Sequence, residues 1–298
     1  MGRGRLWTGK RLRQIAADLR KLKIYISPNT VRRLLHELDY ALHANAKSIS
    51  VSSKDRDKQF ECIAKQKKVF SRRGLPIISV DTKKKEQVGN FKNPGRVWSQ
   101  QATPVNDHDF RSLGLGMANP YGIYDLNFNQ GSIYIGTSHD TPRFAAENIA
   151  RWWRRSGRKD YPDADQLLIL ADSGGSNGAR VRAWKYELYC QLVEPFGLEI
   201  TVCHFPTGAS KWNPIEHRYF SEISKHWAGQ PLDSYQTIQH LIQQTTTETG
   251  LQSKAYIVTK DYPLGQKVSE DQMEEIPMIK HPILPAWNYT LHPLENRN

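Results

Sequence analysis

Leu75-Pro76-Ile77-Ile78-Ser79-Val80-Asp81 and, 91 residues further on, Gln166-Leu167-Leu168-Ile169-Leu170-Ala171-Asp172 decide the fold. Each is an apolar run of strand length that ends on a carboxylate. Such runs suit strands buried on both faces, as in a sheet covered by helices. Between them, Gly122-Ile123-Tyr124-Asp125-Leu126 and Ser132-Ile133-Tyr134-Ile135-Gly136, joined by a turn at 127–131, predict a hairpin. Thr141-Pro142 predicts the start of a helix reaching about Gly157, with Phe144, Ala145, Ile149, Trp152 and Trp153 on its buried side. A Gly-rich turn over 173–178 leads into a helix to about Phe196, Leu198 to His204 predicts a further strand, and Asn213-Pro214 begins a helix that carries Glu216. The pattern is that of an α/β protein, a mixed sheet flanked by helices over about 74–230. Residues 86–120, rich in Gly, Pro and Asn, read as an insertion or long loop.

The order strand-Asp, strand-Asp, helix-Glu carries chemistry. In open sheets, ligands collect where strands end, and acids from a neighbouring helix can meet strand-end acids there. Three carboxylates on one site suit hard divalent cations, which prefer oxygen ligands. Two such ions about 4 Å apart can assist both the attacking and the leaving oxygen of a phosphoryl transfer. Singly, each acid has a plainer role. Asp81 and Asp172 could cap loops after strands, and Glu216 could complement a helix dipole. Their joint order in a basic chain favours a metal site of Asp81, Asp172 and Glu216.

Of 298 residues, 42 are Lys or Arg against 30 Asp or Glu, a formal net charge of +12, so a polyanion is the first partner to consider. Three cysteines (Cys62, Cys190, Cys203), with no paired Cys-x-x-Cys spacing, argue against a disulfide framework and against a zinc site. No apolar run has transmembrane length and the basic N-terminus has no apolar stretch behind it, so a cytoplasmic protein without a membrane span is expected. The first 33 residues hold ten Lys or Arg and one acid, Asp18. Leu12, Ile15, Ala16, Leu19 and Leu22 give one apolar helical face. After a break at 23–26, Ser27 (N-cap) and Pro28 open a second helix with Val31, Leu34, Leu35 and Leu38 inward. Asn29, Thr30, Arg32, Arg33 and His36 point mainly outward. Two such helices predict a helix-turn-helix over 1–45, whose second helix reads DNA; an ordinary helical hairpin with a charged face is the alternative. A serine-rich linker and a helix over about 57–72 follow in 46–73, and 74–298 form the catalytic domain.

Three blocks then carry a family resemblance. Ile77-Ile78-Ser79-Val80-Asp81-Thr82-Lys83-Lys84-Lys85-Glu86-Gln87-Val88-Gly89-Asn90-Phe91-Lys92-Asn93, Leu170-Ala171-Asp172-Ser173-Gly174-Gly175-Ser176-Asn177-Gly178 and Lys211-Trp212-Asn213-Pro214-Ile215-Glu216-His217-Arg218 resemble the catalytic blocks of a family of bacterial insertion-sequence transposases, the Rhodopirellula-type DDE family (the ISAzo group). The Asn213-Pro214-Ile215-Glu216 core is also similar to that of mariner-type transposases. His139-Asp140-Thr141 and Trp287-Asn288-Tyr289-Thr290 look like further signatures. The resemblance spans essentially the whole chain. It implies a ribonuclease-H-like core, Mg2+ dependence with Mn2+ as a substitute, and strand transfer on element ends and target DNA. Family members carry a longer region ahead of the helix-turn-helix, so an N-terminally truncated chain is expected.

Around the acids, Lys83 and Lys84 (with Lys85) are candidates for holding a phosphate, or form a solvated charge run. Lys211 and Trp212 are candidates for DNA contact, Trp212 by stacking or else as packing. His139, His204 and His217 read as structural, and Asp140 as an extra acid or as a helix N-cap. Synapsis of two ends makes a homodimer plausible. A remnant that binds DNA without cutting, and a structure-selective nuclease or resolvase, are the competing functions.

Overall fold

A computed structural model describes residues 8–42 and 55–294, which fall into two compact units. Arg3, Arg5 and most of the serine-rich stretch read as a linker lie outside the described residues.

The first unit is a helix pair, α1 (Leu12–Lys21) and α2 (Pro28–Glu37). Ser27 caps α2, its Oγ accepting from Thr30 N at 3.1 Å, and Pro28 occupies the first turn, where its missing N–H costs nothing. Only Ala16 and Val31 of these helices are buried. The expected inner face of α2 is therefore narrower than its sequence suggests: Leu34 and Leu38 are exposed, because two short helices cannot enclose a stripe of four large apolar residues.

The second unit is built on a nine-stranded mixed sheet. Its strands are β1 (Ile77–Thr82), β2 (Glu86–Val88), β3 (Gly116–Asp125), β4 (Gln130–Gly136), β5 (Gln166–Ala171), β6 (Glu199–His204), β7 (Gln252–Val258), β8 (Met278–Lys280) and β9 (Asn288–Leu291). The order is β7-β4-β3-β1-β5-β6-β9-β8, with β2 added to β3. β3 runs antiparallel to both its neighbours, β4 and β1, while β5 and β6 run parallel to β1. This five-stranded centre is the ribonuclease-H-like arrangement. Two expectations are corrected. The sheet extends past residue 230 through β7, β8 and β9, and the irregular segment is shorter than 86–120, because β2 and the first half of β3 occupy its ends in register Glu86 to Ala118.

Helices bury the sheet on both faces. α3 (Arg56–Arg72) packs through Ile63 and Phe70 against Ile77, Leu168 and Leu170. α4 (Pro142–Trp152), extended by a wide turn to Gly157, meets Ile78, Val80, Tyr121 and Ile169 from the opposite face through Phe144, Ile149, Trp152 and Trp153. Side chains alternate along a strand, so Ile77, Ser79 and Asp81 look to the α3 side and Ile78, Val80 and Thr82 to the α4 side. A third cluster sets Ile215, Tyr219, Phe220 and Ile223 against Tyr124, Ile133 and Ile135. Here two glycines matter. A Cβ on Gly122 would overlap Phe220 and Ile215, and one on Gly131 would overlap the Tyr219 ring. Their absence of a side chain lets the Glu216-bearing helix lie directly on the sheet. Among the described residues, no helix is long and apolar enough to cross a membrane.

Candidate active site

β1 and β5 are parallel neighbours in register Val80 to Ala171, so the residues that follow, Asp81 near the end of β1 and Asp172 just past β5, stand side by side on the same face. The third acid comes from the segment after β6. A short turn (Ser210–Trp212) precedes a helix that begins at Pro214 and widens at Glu216. The sequence alone does not reveal what aligns these pieces: fully buried Asn213. Its Nδ2 donates to Asp172 Oδ1 at 3.1 Å and to Val80 O at 3.4 Å, and its Oδ1 accepts from the Ser79 hydroxyl. Ser79 Oγ in turn accepts from Ile215 N at 3.1 Å. One asparagine and one serine thus tie both acid-bearing strand ends to the start of the Glu216 helix. Satisfied buried polar groups of this kind fix a geometry rather than merely tolerate it.

The acids repel one another. Burial and then the charge of Asp172 push the Asp81 carboxyl up to about 8, with Glu216 adding to the effect and the bond from Thr82 N (2.7 Å) opposing it. Burial raises Asp172, against the lowering effect of Ser210 and Asn213. Glu216 is raised by burial and by Asp172, against a hydrogen bond with Asp81 and the nearby Lys83 charge. These shifts favour a proton shared between Asp81 and Glu216. As they stand, no three His, Cys, Asp or Glu side chains among the described residues are drawn together in an arrangement that would hold an ion. The donor set nevertheless fits a hard cation: every donor is a carboxylate oxygen, and the repulsion that raises these groups is what a cation relieves.

Asp81 and Asp172 line a cavity of about 370 Å³, walled also by Lys84, Lys85, Asp140 and the 174–177 turn. Glu216 is not part of that wall and stands beside Asp81 from the helix side. His204, fully buried, sets the Asp172 backbone: its Nδ1 lies 2.9 Å from Asp172 O. Burial lowers this imidazole to about 4, so it is neutral and structural. Behind it, Gln59 of α3 donates to His204 O and to Asn288 Oδ1, both at 2.8 Å, which gives Asn288 of β9 a scaffolding role.

The candidate DNA contacts divide. Lys84 and Lys85 are exposed at the cavity rim. Lys83 also lines the cavity but is not part of a solvated run, which corrects that reading: it is buried, 3.2 Å from Glu86 and 4.4 Å above the Trp227 ring. Trp212 is half exposed and meets Phe60 edge-on at 6.0 Å, with Lys211 at 5.4 Å over its ring. On α2, Asn29 and Arg32 are exposed, Arg33 pairs with Glu37 at 3.0 Å, and the Thr30 hydroxyl is engaged with Ser27 at 2.9 Å.

A family model described as the Rhodopirellula transposase DDE domain matches residues 2–293. No curated protein matches the chain by sequence. Solved structures that resemble it include a Mos1 transposase paired-end complex with the left transposon end, at TM-score 0.46 and 14% identity, and a pre-cleavage Mos1 transpososome, at 0.46 and 13%. Both alignments cover 78% of this chain and 65% of the other, so the chain spans less than two thirds of those proteins. The Mos1 strand transfer complex aligns at TM-score 0.45 and 15% identity over 80% of this chain and 71% of that one.

Proposed function

The chain belongs to the Rhodopirellula-type transposase DDE family, and on that premise we propose that it is a metal-dependent DNA transposase that cleaves element ends and joins them to target DNA. The observation that supports this reading is that Asp81 and Asp172 stand side by side near the ends of two parallel strands, with Glu216 of the neighbouring helix close to Asp81 and all three carboxyls raised. Mg2+ or Mn2+ held by these acids would supply the charge that activates the attacking oxygen and stabilises the leaving one. The chain's own contribution is positioning. Asn213 and Ser79 orient Asp172 and the Glu216 helix, and His204 holds the Asp172 backbone. Lys84 and Lys85 at the cavity rim bring positive charge to a DNA phosphate. Phosphoryl transfer depends mainly on such positioning and charge neutralisation, so no separate nucleophilic side chain is required.

The excess of basic residues and the exposed basic face of α2 support DNA as the partner, with α1 and α2 acting as a helix-turn-helix on the terminal repeats. Two ends must be brought together, and a homodimer on the pair satisfies that need. The test is strand cleavage in Mg2+ on DNA carrying the inverted repeats that flank the encoding gene. Wild type cuts, and Asp172→Asn binds the same DNA without cutting. Wild-type binding with no cleavage would favour a remnant that only occupies element ends. Equal cleavage by Asp172→Asn, or cleavage that survives EDTA, would overturn the metal reading.

A further inference from the structure

Asp140 precedes α4, where an acid would ordinarily serve the helix start. Here that task is already taken: Thr141 is the N-cap, its Oγ1 accepting from Phe144 N at 3.2 Å. Asp140 is left over, and its side chain lines the same cavity as Asp81 and Asp172. Its Oδ1 is buried and has no hydrogen-bond partner. Two hydroxyls in the same condition also line that cavity, Thr82 Oγ1 and Ser176 Oγ. Burial raises the Asp140 carboxyl, and Ser176, Thr82 and the Lys85 charge offset that in part, although neither hydroxyl reaches good hydrogen-bonding geometry. Ser176, only 8% exposed, comes from the turn after Asp172, and Thr82 directly follows Asp81. The hydroxyl of Tyr121, which feels the Asp140 charge, is committed to Asn177 Oδ1 at 3.1 Å.

A buried carboxylate oxygen and two buried hydroxyls, all unpaired and all from residues that line one cavity, call for something that supplies both positive charge and hydrogen bonds. The strand alternation adds a second argument. Asp81 and Asp172 look to the α3 face, whereas Thr82 and the start of α4 belong to the opposite face. Asp140 thus reaches the strand ends from the side that the other three acids leave uncovered. A hydrated hard cation matches that demand, since it carries the charge and its retained waters donate hydrogen bonds.

We propose that Asp140 is a fourth acid of the divalent-cation site, and that with Thr82 and Ser176 it holds the hydrated side of a cation whose other ligands are Asp81 and Asp172. The inference rests on the metal-dependent reading of the site and adds to it a residue and a face. Loss of a group that supports a metal from its outer side ordinarily weakens binding about 10- to 100-fold.

The test is direct Mn2+ binding by the full chain without DNA, read from the electron paramagnetic resonance signal of free Mn2+. Asp140→Asn, which keeps the side-chain shape, should weaken Mn2+ binding about 10- to 100-fold, and Asp172→Asn at least as much. Asp163→Asn, an exposed acid elsewhere, should bind as wild type does. Circular dichroism checks that each variant folds. Ser176→Ala, which leaves every acid in place, should weaken binding several-fold and serves if Asp140→Asn does not fold. Unchanged Mn2+ binding in Asp140→Asn, or in Ser176→Ala where only that variant folds, overturns the proposal while Asp172→Asn still upholds the metal site. Absence of Mn2+ binding by wild type would instead overturn the metal site itself, and the fourth acid with it.

Discussion

Asn213 Nδ2 donates to Asp172 Oδ1 at 3.1 Å across 41 residues of sequence, while the same side chain accepts from Ser79 on the neighbouring strand. One amide therefore sets the direction of one acid and, through Ser79 and Ile215 N, the seat of the helix that carries another. Asn213→Ala should leave the buried Ser79 hydroxyl without its acceptor and free Asp172 to rotate. We expect a loss of stability of about 1–3 kcal/mol and a fall in the cleavage rate of about 10- to 100-fold. Chemical denaturation and single-turnover cleavage measure the two separately. A rate that falls no further than the folded fraction would make Asn213 a packing residue only.

Gly122 pairs with Asp81 across β1 and β3, directly beneath the Glu216 helix. Gly122→Ala drives a methyl into Phe220 and Ile215, and the helix must lift. Overpacking of a close-packed site costs about 1–3 kcal/mol, and Glu216 moves away from Asp81. The expected outcome is a lower thermal midpoint together with a weaker response of that midpoint to Mn2+. A wild-type response to Mn2+ would show that the helix accommodates the methyl without disturbing Glu216.

What could be read in the sequence follows from where the signal is continuous. β5 is a near-continuous apolar run, and β1 is broken before Asp81 only by Ser79, because helices cover both faces; the acids stand at or just past their ends, so Asp81 and Asp172 could be picked out and placed together. β7, Gln-Ser-Lys-Ala-Tyr-Ile-Val, lies at an edge with mixed exposure and offers no such run. β9 is four residues long, held by Asn288 and its bonds to Gln59 rather than by pattern. Residues 116–120 carry Gly, Asn and Pro, composition that signals a loop, yet pairing with β2 and β4 holds them extended. The Asn213–Ser79 link spans 134 residues, and no local pattern announces it. Lys83 misled for a similar reason: the Trp227 and Glu86 that bury it are visible only in three dimensions.

The exposed face of α2 yields a binding prediction. Arg32 stands free in solvent, whereas Arg33 pairs with Glu37, both side chains well exposed. An exposed pair of that kind is worth little, so it does not withhold Arg33 from DNA. Each arginine changed to alanine should weaken binding to element ends by about 1–3 kcal/mol if it reads a base, or flatten the salt dependence by about one unit if it holds a phosphate. Fluorescence anisotropy at several salt concentrations separates the two outcomes. Unchanged affinity in both variants would remove α2 from the interface.

The raised acids give a pH dependence whose sign can be worked out. Asp81 rises from an ordinary 3.8 to about 8 on folding. The folded chain therefore binds more protons than the unfolded one between these values, and the stabilising contribution is fully present below the lower value and lost as pH rises through about 8. His204 acts in the opposite sense. Its folded value of about 4 lies below its ordinary 6.5, so its contribution is present above 6.5 and lost as pH falls through about 4. Above pH 6.5 His204 is silent; Cys62, lowered to about 7 by its hydrogen bond with Cys203, acts against the acid there, so the share due to Asp81 is read from its variant. In EDTA, the thermal midpoint should fall from pH 6.5 to pH 8, and Asp81→Asn should remove most of that slope and be the more stable protein at pH 8. With Mn2+ the direction should reverse in the wild type, because a cation competes with the shared proton and gains as pH rises, whereas Asp81→Asn should respond little. Differential scanning fluorimetry at the two pH values, with and without Mn2+, reads all four cases. A wild-type slope in EDTA no different from that of Asp81→Asn over this window would show that Asp81 is ionised in the folded chain, and that the three acids do not repel as their placement implies.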